Sequence, residues 1–162
     1  MTNGGAVNKS HTQVDLDVAL SVLGTCGGPY GRTLNTGADP VLVEAVGAAL
    51  ADRLREHELD VLVIWDSSDE AVLAHTVANR LEVRVARAFE ESGLLFLDQD
   101  LVPGARAALL ATVWASPRRL SSLALLAGVK RASVVVAAAV FGTAWLATEQ
   151  DVPTLWLAEE ER

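Results

Sequence analysis

The sequence predicts one α/β domain built on a parallel sheet covered by helices on both faces. Three observations carry this. Residues 103–140 (PGARAALLATVWASPRRLSSLALLAGVKRASVVVAAAV) hold two apolar runs, neither alternating with polar residues as a half-exposed strand would. The stretch between the runs is long enough for the crossover helix that parallel strands require. The chain has 162 residues, 51% of them hydrophobic, which suffices for one sound core, and no second domain is expected.

Taken in order, residues 1–13 read as a loose polar tail ahead of a domain spanning 14–162. Residues 14–23 alternate weakly and fit a short helix or a strand. The stretch 24–37 (GTCGGPYGRTLNTG) is dense in Gly, Thr and Asn and reads as a loop. Asp39 can cap a helix with Pro40 in its first turn, and Leu42, Val46, Ala49, Leu50 and Leu54 recur at helical spacing up to about Glu58. A strand follows at 59–65. Ser67 with Glu70 three residues on forms a capping box that opens a helix through Leu73, Val77 and Leu81. Strands are expected at 83–89 and 93–97, with Glu90, Glu91 and Ser92 between them. The next strand, 107–113, ends at a Ser-Pro-Arg-Arg loop whose Ser116 and Pro117 suit a helix start, and Gly128 stops that helix. Residues 132–147 read as a buried strand and a turn, 154–157 as a short last strand, and 159–162 as a solvated end.

Charge and composition exclude several classes of function. A formal charge of −8 gives no basic face for nonspecific adhesion to nucleic acid or anionic lipid. Cys26 is the single cysteine, so an internal disulfide and a cysteine zinc cluster are excluded, and a reducing cytoplasm is the natural setting. No His lies near Cys26 in sequence to make it a nucleophile. The first eleven residues lack the apolar core of an export signal, and 132–147 is shorter than a membrane span and broken at Gly142-Thr143. His75 reads as a helix-face residue rather than a base, His57 as exposed within Arg-Glu-His-Glu, and His11 belongs to the tail.

In such a sheet ligands bind beyond the carboxyl ends of the strands, here residues 112–119. That unit resembles type I phosphoribosyltransferases, the orotate enzymes in particular. Their strand ends in two adjacent acids, followed by a Thr- and Gly-rich loop around the 5-phosphate of phosphoribosyl pyrophosphate. The resemblance extends to 59–81 (LDVLVIWDSSDEAVLAHTVANRL), similar to the family's first core strand, pyrophosphate loop and helix, and to 82–88, similar to its next strand. Tyr30, Arg32 and Asp39-Pro40 are similar to a Gly-bearing loop ahead of an Asp-Pro helix start, although an ordinary surface loop explains them as well. The resemblance implies a phosphoribosyltransferase-type sheet with a small hood in the region of the strands at 83–89 and 93–97, a homodimer, and magnesium where the enzyme is active.

The motif itself departs from the family. Ala111 and Thr112 stand where the two acids belong, and Ala115-Ser116-Pro117-Arg118-Arg119 where the Gly-rich loop belongs. Losing acids and glycines removes the grip on ribose hydroxyls, metal and phosphate. Arg87 is followed by Ala88 where the family has an Arg-Lys pair. Glu90, Glu91, Asp98 and Asp100 make the hood region acidic, which repels a phosphorylated ligand.

Two loops should then frame the crevice. In 65–70 (WDSSDE), Asp66, Asp69 and Glu70 sit near a helix start, where capping accounts for Ser67, Asp69 and Glu70, and a metal held by Asp66 and Asp69 is the lesser alternative. In the second loop Arg118 and Arg119 enter a first turn whose dipole disfavours cations. Self-closure is the leading expectation, with Arg118 or Arg119 bridging to Asp66, Asp69 or Glu70. A bound anion gripped by the arginines, or plain solvation, are the alternatives. Trp65 and Trp114 either pack or form a platform for a planar ligand. The candidate crevice is thus Trp65, Asp66, Ser67, Ser68, Asp69, Arg87, Thr112, Trp114, Ser116, Arg118 and Arg119.

Two functions follow. One is a phosphoribosyltransferase-like protein without catalysis, needing no cofactor, that binds a nucleotide, a phosphorylated small molecule or a protein partner, as a homodimer or with an active relative. The other is a divergent orotate-type transferase that moves ribose 5-phosphate to a base with magnesium.

Overall fold

The computed structural model describes residues 15–28, 31–148 and 150–159. Among these the order is α1 (Leu16–Leu23), β1 (Gly24–Gly28), β2 (Gly31–Leu34), α2 (Pro40–Leu54), a 3-10 turn (Arg55–His57), β3 (Val61–Trp65) and α3 (Ser68–Leu81). Then come β4 (Arg84–Glu91), β5 (Leu94–Leu97), β6 (Arg106–Val113), α4 (Pro117–Val129), β7 (Ser133–Gly142) and β8 (Thr154–Glu159). The tail 1–13, Tyr30 and residues 160–162 lie outside the described residues.

Six strands form one sheet in the order β5-β4-β3-β6-β7-β8, parallel throughout except for the antiparallel β4–β5 pair at one edge. The apolar runs lack polar alternation because both faces are buried. On one face Leu62, Ile64, Ala108, Leu110 and Val140 pack with Leu23, Leu50 and Leu73 from α1, α2 and α3. On the other, Val61, Val63, Leu109 and Ala139 pack with Leu120, Leu123 and Leu126 of α4. Close helix packing explains Gly47, where a Cβ would collide with Thr76 of α3. Gly142 is likewise fixed, because a Cβ there would lie 2.6 Å from the Trp156 ring.

Several expectations are refined. Of the stretch expected to be a short helix or a strand, Leu16–Leu23 forms a helix, with the Asp15 carboxylate accepting from the Asp17 N–H at 3.0 Å. The helix from Pro40 stops at Leu54 and tightens into the 3-10 turn, ending on Glu58 in the left-handed region (φ 50°). β4 runs on through Glu90 and Glu91, so the turn into β5 is Ser92-Gly93, both at positive φ. The last strand continues to Glu159, whose carboxylate accepts from Trp156 Nε1 at 2.9 Å. No helix among the described residues is long and apolar enough to cross a membrane.

The loop expected at 24–37 is a correction. Most of it forms a separate antiparallel pair, β1–β2, with Thr25 and Thr33 hydroxyls 2.8 Å apart across the strands. Local composition hides it, since Gly and Thr give no apolar alternation. What stabilises the pair is its place over the ends of β6 and β7, where the Arg32 guanidinium lies 4.5 Å from the Phe141 ring. The piece that covers the strand ends is therefore this pair, whereas 90–97 forms the sheet's antiparallel edge.

β3 connects through α3 to β4 on one side, and β6 through α4 to β7 on the other, with α3 and α4 on opposite faces. Neighbouring parallel strands whose crossovers diverge leave a crevice at their carboxyl ends. Trp65 and Val113 mark it.

Candidate functional site

Each crevice loop opens a helix by the same device. Ser67, extended (φ −147°, ψ 160°), caps α3 and accepts from the Glu70 N–H at 3.4 Å. Ser116, also extended (φ −161°, ψ 158°), caps α4 and accepts from the Arg119 N–H at 3.3 Å. The predicted caps are both correct. The reciprocal half of the capping box is not formed, because the Glu70 side chain goes elsewhere.

Glu70 crosses to the neighbouring strand. Its carboxylate oxygens accept from the Thr112 N–H at 2.8 Å and the Thr112 hydroxyl at 2.9 Å. The residue keeps some accessible surface, yet its carboxyl group is enclosed by protein atoms. Burial therefore raises its pKa to about 7; the two Thr112 hydrogen bonds pull it down, the Asp69 charge pushes it up and the Arg119 charge pulls it down again. Asp69 turns the other way and accepts from Thr36, from the N–H at 3.0 Å and the hydroxyl at 2.6 Å. Capping is thus not the main work of either acid.

The expected self-closing ion pair is absent: no bridge joins Arg118 or Arg119 to Asp66, Asp69 or Glu70 among the described residues. Asp66 pairs instead with Arg87 of β4 at 3.5 Å, and Arg87 binds Asp98 at 3.0 Å. Those two carboxylates push the Arg87 pKa up, the hydrogen bond that Arg87 donates to Asp98 most of all. Arg119 lays its guanidinium 4.2 Å over the Trp65 ring, while the Trp65 N–H donates to the Arg119 carbonyl at 3.2 Å. A cation over an indole face is stabilising, which offsets the unfavourable dipole of a helix start. The two acids are satisfied by threonines and Arg119 by an aromatic ring, rather than by one another.

A cavity of about 370 Å³ is left between the loops. Of the predicted site residues Trp65, Ser67, Asp69, Thr112, Trp114 and Arg119 line it. Arg118 borders a neighbouring hollow of about 380 Å³ that shares Trp65 and Arg119 with the first. Ser68 begins α3, Ser116 caps α4, and Asp66 pairs with Arg87; none of these four lines either hollow. Trp114 is no platform: it is 1% exposed, with its N–H donating to the Ala138 carbonyl at 3.2 Å. Two residues outside the candidate crevice set also line the cavity, Glu70, expected only as a cap and an ion-pair partner, and Thr33. Glu70 was hidden by its competence as a capping residue, and Thr33 by a strand that composition reads as loop.

The resemblance implies magnesium, but the side chains do not suit it. Asp66 and Asp69 are committed to Arg87 and Thr36, Ala111 offers no oxygen on its side chain, and no group of three metal-ligating side chains occurs among the described residues. A phosphate cradle at α4 is equally weak. Pro117 has no N–H and that of Arg119 is taken by Ser116, so two donors of the first turn are missing or used.

Solved structures resemble this chain over most of its length. Adenine phosphoribosyltransferase from Thermoanaerobacter pseudethanolicus matches with a TM-score of 0.71 at 12% identity, covering 90% of this chain and 99% of that one. The type I phosphoribosyltransferase fold is present. The Saccharomyces cerevisiae adenine phosphoribosyltransferase gives 0.70 at 16% identity, covering 88% of this chain and 97% of that one. Leishmania donovani UMP synthase gives 0.71 at 11% identity, covering 90% of this chain and 36% of the larger protein. No family model and no curated protein matches the sequence. Within this phosphoribosyltransferase fold, the crevice between β3 and β6 holds Glu70 clasped to Thr112, one of the two positions where the resemblance places an acid.

Proposed function

We propose that the protein is a phosphoribosyltransferase-like binding protein that does not transfer ribose 5-phosphate, and that its crevice holds a small ligand. The single observation that carries this is the Glu70–Thr112 clasp. At the end of β6 a side chain of the protein itself takes the backbone N–H and the hydroxyl that face the crevice. Asp69 and Glu70 also place negative charge at the cavity wall, which works against a pyrophosphate. A divergent orotate-type transferase would need Asp66 or Asp69 freed for a metal, against the Arg87 and Thr36 contacts.

The test is calorimetry and thermal unfolding with phosphoribosyl pyrophosphate and magnesium. A ligand at 100 times its dissociation constant adds about 2.7 kcal/mol, an easily seen shift, and none is expected here. Steady pyrophosphate release in the presence of a base, abolished by changing Ser116, Arg118 and Arg119, would establish the transferase instead.

A further inference from the structure

The cavity between the loops has an unusual balance of groups. Asp69 and Glu70 both line it, and neither takes part in any of the ion pairs among the described residues. Both are satisfied by neutral threonines. The remaining charge on the wall is Arg119, whose guanidinium is drawn onto Trp65. An enclosed carboxylate without an ion-pair partner is costly, and a cation arriving beside it offsets that cost. The aromatic wall is suited to the same guest, since Trp65 already accepts a flat guanidinium at 4.2 Å, and that guanidinium belongs to a solvent-exposed residue. Ala111, Val113 and Trp114 supply an apolar lining, and about 370 Å³ suits a small molecule.

We propose that this cavity is a site for a small flat organic cation of the amidinium or guanidinium class, which displaces the Arg119 guanidinium from Trp65 and pairs with the carboxylates of Glu70 and Asp69. The proposal rests on the reading above that the crevice is not a phosphoribosyl pyrophosphate site, and it names the ligand class. Arg119 is then a resident competitor. Binding is also linked to protons: the groups facing Glu70 are Thr112, Asp69 and Arg119, and a cation beside them favours the ionised carboxylate, so binding strengthens as pH rises through neutrality.

The experiment compares benzamidinium chloride with benzamide, a neutral molecule of nearly the same shape, by calorimetry on the full chain. Benzamidinium is expected to bind at least about tenfold more tightly than benzamide, a difference of about 1.4 kcal/mol. The preference should vanish in Glu70→Gln, and Arg119→Ala should tighten benzamidinium binding several-fold. Should Glu70→Gln fail to fold, benzamidinium binding by the unaltered chain at pH 5.5 and pH 8 serves instead, with weaker binding expected at the lower pH. Equal binding of the two probes, no binding of either, a preference that survives Glu70→Gln or is independent of pH, or weaker binding in Arg119→Ala overturns the proposal. Those outcomes leave the non-catalytic reading standing, whereas pyrophosphate release from phosphoribosyl pyrophosphate sinks that reading itself.

Discussion

The chain enters α3 and α4 through the same turn, yet the two turns carry opposite charges. Ser67 and Ser116 adopt nearly the same backbone angles and each caps the N–H three residues on, but that residue is Glu70 in one turn and Arg119 in the other. Each side chain then reaches for the strand that precedes the other helix. Glu70, after β3, clasps Thr112 near the end of β6; Arg119, after β6, covers Trp65 at the end of β3. The contact that goes inward is enclosed, while the one that goes outward stays wet. Two identical local structures thus end with very different energetic weight, because burial and not the cap decides what each charge is worth.

Reversing the charges should expose this asymmetry, and the largest effect is expected on the inward side. Glu70→Arg puts a cation against the Thr112 N–H in an enclosed site and should cost roughly 3–5 kcal/mol in urea unfolding. A loss below 1 kcal/mol would mean that the Glu70 site is as open to water as the Arg119 site.

The pH dependence separates the two turns next. The Glu70 carboxyl has a folded pKa of about 7 against an ordinary 4.5. Between those values the folded chain holds a proton that the unfolded chain has released. Its contribution is therefore full below about pH 4.5 and is lost as pH rises through about 7. Compared with Glu70→Gln, the unaltered protein should lose roughly 1–3 kcal/mol over that window, read as the difference between the two unfolding curves at each pH. A constant difference would show that the carboxyl is not enclosed.

Thr112→Val removes the hydroxyl but keeps the shape, leaving one Glu70 oxygen without its partner. The expected cost is about 1–3 kcal/mol, with a further rise in the Glu70 pKa because a bond to the ionised form is lost. Titration followed by carboxyl carbon resonances would check the direction. The smallest effect belongs to the outward side. Arg119→Glu loses the contact with Trp65 but gains a favourable charge at a helix start, two terms of about 0.5–1 kcal/mol and opposite sign, so stability should hold within about 1 kcal/mol. A loss of several kcal/mol would show that Arg119 is as deeply engaged as Glu70.

Much of the fold was legible in the chain. The runs at 59–65, 107–113 and 132–147 revealed buried parallel strands because nothing polar alternates in them, and Asp39, Ser67 and Ser116 announced three helix starts through chemistry local to a few residues. The β1–β2 pair was not legible, since its support comes from β6 and β7, more than seventy residues away in sequence. The crevice was legible as a place but not as a set of bonds. Trp65, Ser67, Asp69, Thr112, Trp114 and Arg119 do line one cavity, while Asp69 contacts Thr36 and Arg119 contacts Trp65 instead of the expected ion-pair partners.

What the sequence determined by itself was the architecture and the crevice between two diverging crossovers, because periodicity, caps and residue identity are local quantities. Only the tertiary structure decided that threonines satisfy the acids, that Arg87 claims Asp66, and that Arg119 lies on an indole ring. Those outcomes turn on differences of a few ångströms between groups on separate elements, set by how β3 and β6 lie side by side, and no spacing along a single chain encodes which of several oppositely charged neighbours will come within reach.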